Sequence, residues 1–370
     1  MILEKRPTKA LINLHNLVAN AHEIEARLPR GQEVLPIIKA NAYGHGAAPV
    51  AKALVGAGFA KLAVATFEEG VELRQGLIAA DIYVLNGIHA SLQQYQQQRL
   101  IPILHQMDEI QQVVSFSKNL KQPFSIGVKF DTGMGRLGLL PDEALTAIES
   151  LKSANVDLRC VITHLARADE SLEYTKTPYE RFHEIRKNFR AAGFTTTKFS
   201  ICNSASIIDK HFDDFDWVRP GIALYGVYPH ERQRGLMALK PVLELKTRII
   251  ELKKLAVGSS VGYGATFVAK CDSRIGILPI GYADGYPRLI SNRGFVLVRG
   301  ERVPIVGRIS MDLMAVDVSN VAGVCLYDEV TLIGGDGNQS IRVEEVALWA
   351  ETISYEILTG MMPRVHREYA

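Results

Sequence analysis

Up to about residue 225 the chain alternates short apolar runs with longer stretches in which apolar residues return at helical spacing. The apolar runs are VLPII from Val34, LAVA from Leu62, IYVL from Ile82, IPIL from Ile101, FSIGVKF from Phe124, LRCVI from Leu158, KFSI from Lys198 and DWV from Asp216. Each is too short and too uniformly apolar to have one solvated face, so buried parallel strands fit them best. Between them lie helical patterns, among them APVAKALVGAG from Ala48, FEEGVELRQGL from Phe67, PDEALTAIESLK from Pro141 and YERFHEIRKNFRAAG from Tyr179. Pro141 followed by two acidic residues is a helix start, and Gly193 a helix stop. Eight such units predict a (β/α)8 TIM-type barrel, which in its usual form takes about 250 residues. An open doubly wound sheet is the competing arrangement.

Past Pro229 the pattern changes. HERQRGLMALK is polar and irregular, and VLELKTRII after it alternates with period two. RIGILPI, FVLVRG, RVPIVG, LMAVDV and EVTLIG are short runs separated by Gly and Pro turn signals, which predict a β-rich domain. The expected division is a barrel over residues 1–234 and a mainly β domain over 235–370. GGDGNQS after Ile333 reads as a turn cluster, and VEEVALWAETIS from Val343 as one helix.

Among the 370 residues, 42 Lys and Arg against 40 Asp and Glu leave a net charge of +2, which excludes a strongly basic nucleic-acid binder. No run approaches the roughly 18 apolar residues that a membrane helix needs. The first residues carry Glu4, Lys5 and Arg6 and lack the apolar core of a secretory signal. The expectation is a cytoplasmic protein with neither a membrane nor a nucleic-acid partner. Cys160, Cys202, Cys271 and Cys325 are far apart and form no C-x-x-C pair, so they read as buried free thiols, with no metal site. GMGRLG from Gly133 matches a dinucleotide fingerprint, but it follows the fifth strand and its helix starts only at Pro141. It reads instead as a glycine-flexible loop positioning Arg136. His22-Glu23 and His183-Glu184 lack the second histidine of H-E-x-x-H and read as solvated helix faces.

Barrel chemistry sits at the C-terminal ends of the strands. There the sequence places Lys39 and Tyr43 after the first strand, Leu85 and Asn86 after the third, and Arg136 after the fifth. His164 follows the sixth, Asn203 and Ser204 the seventh, and Arg219 and Gly221 the eighth. Lys39 is the first polar side chain after VLPII. Desolvation there would lower its pKa and supply the neutral amine that Schiff-base chemistry requires, although a lysine snorkelling to solvent would look the same in sequence. The ends of strands seven and eight are where barrels commonly hold a phosphate. A cofactor with one phosphate and one carbonyl satisfies both halves, and pyridoxal 5'-phosphate is such a cofactor.

VLPIIKANAYGHG, FDTGMGRLG, THLARADE, CNSAS, VRPGIALYG, VGYGATF, GYADGYPR, GRISMDLMAVDV and ISYEIL together resemble alanine racemase, in that order over nearly the whole chain. The resemblance implies a pyridoxal-phosphate enzyme that interconverts L-alanine and D-alanine and supplies D-alanine for peptidoglycan. Lys39 would carry the cofactor and act as base on the D-enantiomer, and Tyr263 would be the base on the L-enantiomer from the opposite face. Arg219 would face the pyridine nitrogen. Tyr43, Ser204, Gly221, Ile222 and Tyr355 would hold the phosphate, with Asn203 nearby, Leu85 lining the cofactor and His164 against its ring. Arg136 and the backbone of Met311, with Asp312 beside it, would organise the substrate carboxylate. His164 and Arg136 are the candidates for activating the Tyr263 phenol. The resemblance further implies a head-to-tail homodimer whose sites borrow Tyr263, Met311 and Asp312 from the other subunit, and a Lys129 that meets Arg136. The repulsion of two such close cations points to a carbamylated Lys129, with a bound chloride or a Lys129 turned to solvent as the alternative. Two departures stand out: the usual ending R-V-P-R is RVHRE, with His366 in place of proline, and Arg167 stands where a small residue is common.

Taken singly, these residues have plainer readings: Tyr263 as a packed aromatic, His164 as a core histidine, Met311 as a core filler. Two other functions share the barrel. A decarboxylase of basic amino acids would want an acidic partner for the ring nitrogen, which Arg219 argues against. A non-enzymatic pyridoxal-phosphate carrier would end near residue 230, without the β domain.

Overall fold

The computed structural model describes residues 6–211 and 214–370, so Glu4 and Lys5 lie outside the described residues. The chain forms two compact units, one of residues 17–42 and 47–240, the other of residues 1–16, 43–46 and 241–370.

The first unit is built on parallel strands. Lys61–Val64, Asp81–Val84, Leu100–Leu104, Phe124–Lys129, Val156–Ile162 and Lys198–Ser200 follow one another in chain order, each paired parallel with the next. Trp217–Arg219 pairs parallel with both Glu33–Val34 and Cys202–Asn203. Ile37 bridges to Ala63, and Asp216 N–H donates to Phe199 O, so the two groups of strands close on each other. The eight apolar runs of the sequence are therefore the eight barrel staves, the seventh interrupted at Ile201. They read as apolar because both faces are covered: every residue of Leu100–Leu104 is buried, as are Ile82, Tyr83, Val84, Ile126, Val128, Cys160 and Val161.

The intervening helices are started by local chemistry. Thr66 Oγ1 accepts from Glu69 N–H, and the Glu69 carboxylate accepts from Thr66 N–H, a reciprocal cap for Phe67–Gln75. The helix read from Tyr179 in fact runs Leu172–Ala191, capped by Ser171 Oγ on Tyr174 N–H. Pro178 lies inside it and removes one backbone donor, at a usual cost of ~3 kcal/mol or more. Phe182, Ile185 and Phe189, all buried on one face, anchor the remainder. Among the described residues, no helix is long and apolar enough to cross a membrane.

The second unit is a large, mainly antiparallel sheet in the order Glu251–Leu255, Ser273–Leu278, Met314–Asp317, Glu301–Val306, Phe295–Val298, Glu329–Asp336, Leu243–Arg248, Lys9–Ile12 and His366–Tyr369. The last two are parallel to each other. Lys9–Ile12 escaped the sequence reading although its burial alternates, with Ala10 and Ile12 inside. GGDGNQS is only partly a turn, because its first three residues continue Glu329–Asp336, which pairs with Gln339–Ile341. Gly334 is required there: its φ is +118°, and a Cβ would stand 2.8 Å from Glu244 Cγ. The C-terminal helical stretch is two helices, Val343–Trp349 and Ser354–Thr359. The expectation that all four cysteines are buried needs correction. Cys160 and Cys202 sit in barrel strands and are buried, whereas Cys271 and Cys325 lie in connecting segments and are exposed.

Candidate active site

Lys39 is the hinge between the first barrel strand and an unusual turn. Ala40, Asn41, Ala42 and Tyr43 all have φ of 52–53°, four consecutive left-handed residues with no glycine among them. Each costs about 1–2 kcal/mol in that conformation, so tertiary contacts must impose it. Two of these are the Ala42 N–H donating to Ile38 O at 2.9 Å and Asn41 Oδ1 accepting from Ala47 N–H at 2.7 Å. The turn leaves Lys39 half-buried, and burial, then Arg136, lower the pKa of its amine, with Glu69 opposing them.

Four other sequence-nominated residues share that electrostatic neighbourhood. Arg219, at the end of the eighth strand, is buried and wired to the barrel wall. It donates to Ser200 Oγ at 2.5 Å, to Thr163 O, and to Ile201 O at 3.4 Å. Burial draws its guanidinium down to about 10, which leaves it a cation at neutral pH. Lys129, on the last residue of the fifth strand, is pulled down to about 8 by burial, then by Arg136, Arg219 and Lys39, with Asp131 opposing. Burial and the same cations hold the His164 imidazole far below its ordinary value, so it is neutral.

Arg136 itself is exposed, but its loop is fixed. The Asp131 carboxylate accepts from Gly133 N–H at 2.9 Å, Met134 N–H at 2.8 Å and Arg136 N–H at 2.6 Å. Burial alone would raise the Asp131 pKa, and these backbone donors outweigh it and lower it. The glycine-rich segment is thus an Asp-centred loop with Arg136 at its tip. Lys129, Met134, Arg136, Leu137 and His164 line the concave face below it.

At the ends of strands seven and eight, Ser204 Oγ is buried and accepts from Gly221 N–H at 2.9 Å and Ala223 N–H at 3.3 Å. Ile222, fully buried between those two donors, presents a backbone N–H with no acceptor among the described residues. An orphaned buried donor is rare and points to a ligand oxygen. Asn203 caps the short helix Ser204–Ile208 through Oδ1 on Ser206 N–H. Leu85 is half-buried at the end of the third strand, its N–H bonded to Val64 O.

The remaining nominated residues belong to the β-rich unit. Tyr43 is buried and Tyr355 half-buried, their rings 6.1 Å apart, and burial raises the Tyr43 phenol well above its ordinary value, with Tyr355 adding to it. Tyr263 stands 72% exposed on a short turn, and Met311 is 52% exposed. Asp312 Oδ1 accepts from Arg364 Nη2 at 2.6 Å, and Arg364 also holds the buried Asp284 through its Nε at 2.7 Å. His366 is a strand residue paired with Lys9, and Arg167 pairs with Glu170 at the surface. The sequence reading missed Asp131, Ser200, Thr163 and Arg364. Asp131 had a visible signal, an Asp two residues before Gly, which is an Asx-turn pattern.

Comparison with known proteins covers both units. The alanine racemase N-terminal domain matches residues 12–229, and the alanine racemase C-terminal domain matches residues 242–369. An alanine racemase of Halothermothrix orenii is 40% identical over 369 residues, 98% of this chain and 97% of the relative. Alanine racemase from Bacillus anthracis with bound L-Ala-P superposes with a TM-score of 0.90 at 32% identity, over 100% of this chain and 96% of the other. Alanine racemase from Bartonella henselae with covalently bound pyridoxal phosphate gives 0.90 at 32% identity, over 99% of this chain and 100% of the other. With both of its domain models matched and relatives aligned from end to end, the chain belongs to the alanine racemase family, pyridoxal-phosphate-dependent isomerases that interconvert L- and D-alanine.

Proposed function

We propose that this protein racemises alanine with two bases, Lys39 and Tyr263, on pyridoxal phosphate carried by Lys39. The observation that carries the reading is the Lys39 amine, whose pKa burial and Arg136 lower, in the electrostatic neighbourhood of the buried, hydrogen-bonded cation Arg219. A phosphorylated aldehyde needs an amine to bond to and a socket for its phosphate. The residues present fit both: Lys39 supplies the amine, and the Ser204 hydroxyl with the orphaned Ile222 N–H supplies donors for phosphate oxygens. Tyr43 and Tyr355 add phenol donors, and Gly221, Asn203 and Leu85 complete the lining. Bound there, pyridoxal phosphate withdraws electrons from the substrate α-carbon and acidifies its proton.

The remaining work falls to the chain's own side chains. Arg219 can donate a hydrogen bond to a ring nitrogen but does not give up its proton at neutral pH, which limits electron withdrawal and disfavours side reactions. This also disfavours the decarboxylase reading, which wants an acid in that place. His164, held neutral, adds no further positive charge. Arg136, on its Asp131-fixed loop, is placed to meet a carboxylate, and its planar fork suits that group. Inverting a carbon centre requires one group to take a proton from one face and another to return it on the opposite face. Lys39 Nζ serves the D-enantiomer and the Tyr263 phenol oxygen the L-enantiomer.

A head-to-tail homodimer supports that arrangement, with Tyr263, Met311 and Asp312 of the partner subunit completing each site. Tyr263, Tyr282, Met311 and Leu313 are all exposed on the β-rich unit, an amount of bare apolar surface that suits an interface. Arg364 holds Asp312 in position for that role. Lys129 is carbamylated in this reading: an amine drawn down to about 8 has a neutral fraction whose lone pair attacks the carbon of carbon dioxide, a proton is released to water, and the resulting carbamate anion meets Arg136. The product role is supply of D-alanine to peptidoglycan, in the cytoplasm.

Borohydride reduction of the loaded protein followed by peptide mass mapping tests the reading. The expected label is on Lys39, in a protein that also abolishes the optical activity of L-alanine. Label on any other lysine overturns it.

A further inference from the structure

We infer that Glu69 is a positioning residue for Lys39, its carboxylate clamping the backbone of Ala40 and so holding the left-handed turn that presents the Lys39 amine. The inference rests on the functional reading above and goes beyond it to a residue on a different βα unit.

Glu69 is the third residue of the helix Phe67–Gln75, and its two oxygens do different work. Oε2 accepts from Ala65 N–H at 2.7 Å and Thr66 N–H at 3.2 Å, which caps its own helix. Oε1 turns away and accepts from Ala40 N–H at 2.5 Å, across 29 residues of sequence. Ala40 is the first left-handed residue and the immediate neighbour of Lys39, so the clamp acts where the backbone leaves its ordinary region. A carboxylate accepting a backbone N–H makes a charge-assisted bond, about twice as strong as a neutral one. The same carboxylate also favours the protonated Lys39 amine, against burial and Arg136.

A second glutamate shows which part of this is general scaffolding. Glu109, the third residue of the helix Met107–Ser117, accepts from His105 N–H at 2.7 Å with one oxygen and from Ile88 N–H at 2.8 Å with the other. It too ties its own loop to the loop of an earlier βα unit. The loop it reaches has a single left-handed residue, Gly87 with φ of 89°, a conformation glycine adopts freely, and bears no lysine, so Glu109 provides a matched control for loop clamping without the Lys39 connection.

The test uses the loaded, full-length protein and its Glu69→Ala, Glu69→Gln, Glu69→Asp and Glu109→Gln variants. Hydroxylamine strips pyridoxal phosphate from a lysine, and the decay of the cofactor's visible band gives the rate. Melting temperature, kcat and KM for D-alanine are measured beside it. Glu69→Ala is expected to be stripped about tenfold faster, the worth of one charge-assisted hydrogen bond, with kcat lowered more than KM is raised. Glu69→Gln keeps an acceptor oxygen and should fall between, and Glu69→Asp is one methylene short and should resemble alanine. Glu109→Gln should lower the melting temperature and leave the stripping rate unchanged. Stripping of Glu69→Ala within twofold of wild type overturns the inference, as does a Glu109→Gln rate that rises as much. If Glu69→Ala does not fold, Glu69→Gln decides on the same criterion. A wild type without cofactor on Lys39 overturns the functional reading and this inference with it, whereas a loaded wild type indifferent to Glu69 overturns this inference alone.

Discussion

Lys129 offers a quantitative test of how the barrel mouth handles its charge. Its amine falls from 10.5 to about 8 on folding, first through burial and then through Arg136, Arg219 and Lys39. A lysine whose pKa is depressed in the folded state weakens that state while both forms are protonated. The penalty is fully present below pH 8, is relieved as pH rises from about 8 to 10.5, and is gone above that. At 1.36 kcal/mol per pH unit the shift is worth about 3 kcal/mol. For a barrel of this size ~1 kcal/mol moves the melting temperature by about 2–4 °C, so an unmodified Lys129 depresses it by roughly 6–12 °C at neutral pH.

Carbamylation removes that penalty by replacing a buried cation with an anion facing cations. Melting curves of the loaded wild type and a Lys129→Met variant, at neutral pH, each with and without bicarbonate, separate the cases. Wild type stripped of carbon dioxide should melt lowest, bicarbonate should raise it by several degrees, and Lys129→Met should be insensitive to bicarbonate. Mass spectrometry of the intact, unacidified protein should show the added carbon dioxide on wild type alone. Wild-type melting that ignores bicarbonate, together with a Lys129→Met variant that melts lower than the bicarbonate-free wild type, would refute both the carbamate and the charge penalty.

The division of labour between the units has two further testable outcomes. Mixing a Lys39→Ala chain with a Tyr263→Phe chain should restore part of the activity, because one site of each mixed dimer then has both bases; verified mixed dimers without activity would mean that each site is built within one chain. Tyr263→Phe should abolish exchange of the L-alanine α-proton with solvent deuterium while D-alanine still exchanges through Lys39, and the opposite pattern would reverse the assignment of faces.

How far the sequence reveals this depends on whether a feature is imposed locally. The barrel strands are legible because cover on both faces forces continuous apolar runs, as in Leu100–Leu104. Lys9–Ile12 is not, because its partners Leu243–Arg248 and His366–Tyr369 lie at the far end of the chain and nothing near it marks a strand. Lys39, His164 and Arg219 are legible from one rule, that barrel chemistry sits at strand ends. The left-handed turn after Lys39 is invisible, since Ala-Asn-Ala-Tyr contains no glycine to announce a positive φ. Glu69 lies between these extremes. Its capping role is visible as Thr66-x-x-Glu69, but the destination of its second oxygen depends on how close two loops come in the folded barrel.

The charge of the site bears directly on its ligands. The whole chain carries only +2, yet Lys39, Lys129, Arg136 and Arg219 act on one another and on His164 within one barrel mouth. The nearest carboxylate on that loop, Asp131, is committed to backbone N–H groups and opposes the cations only as the weakest influence on Lys129. Burial is the larger cause of the lowered pKa values of Lys39 and Lys129, and the neighbouring cations, which repel one another, lower them further. Anions bound among these cations would relieve that repulsion. On the proposed function, a phosphate at Ser204 and Ile222, a substrate carboxylate at Arg136 and a carbamate on Lys129 would each lower that repulsion. In the proposed reading the first and the last would stay with the loaded protein and the substrate carboxylate would come and go, so the residual positive charge at Arg136 would draw the amino acid in by its carboxylate.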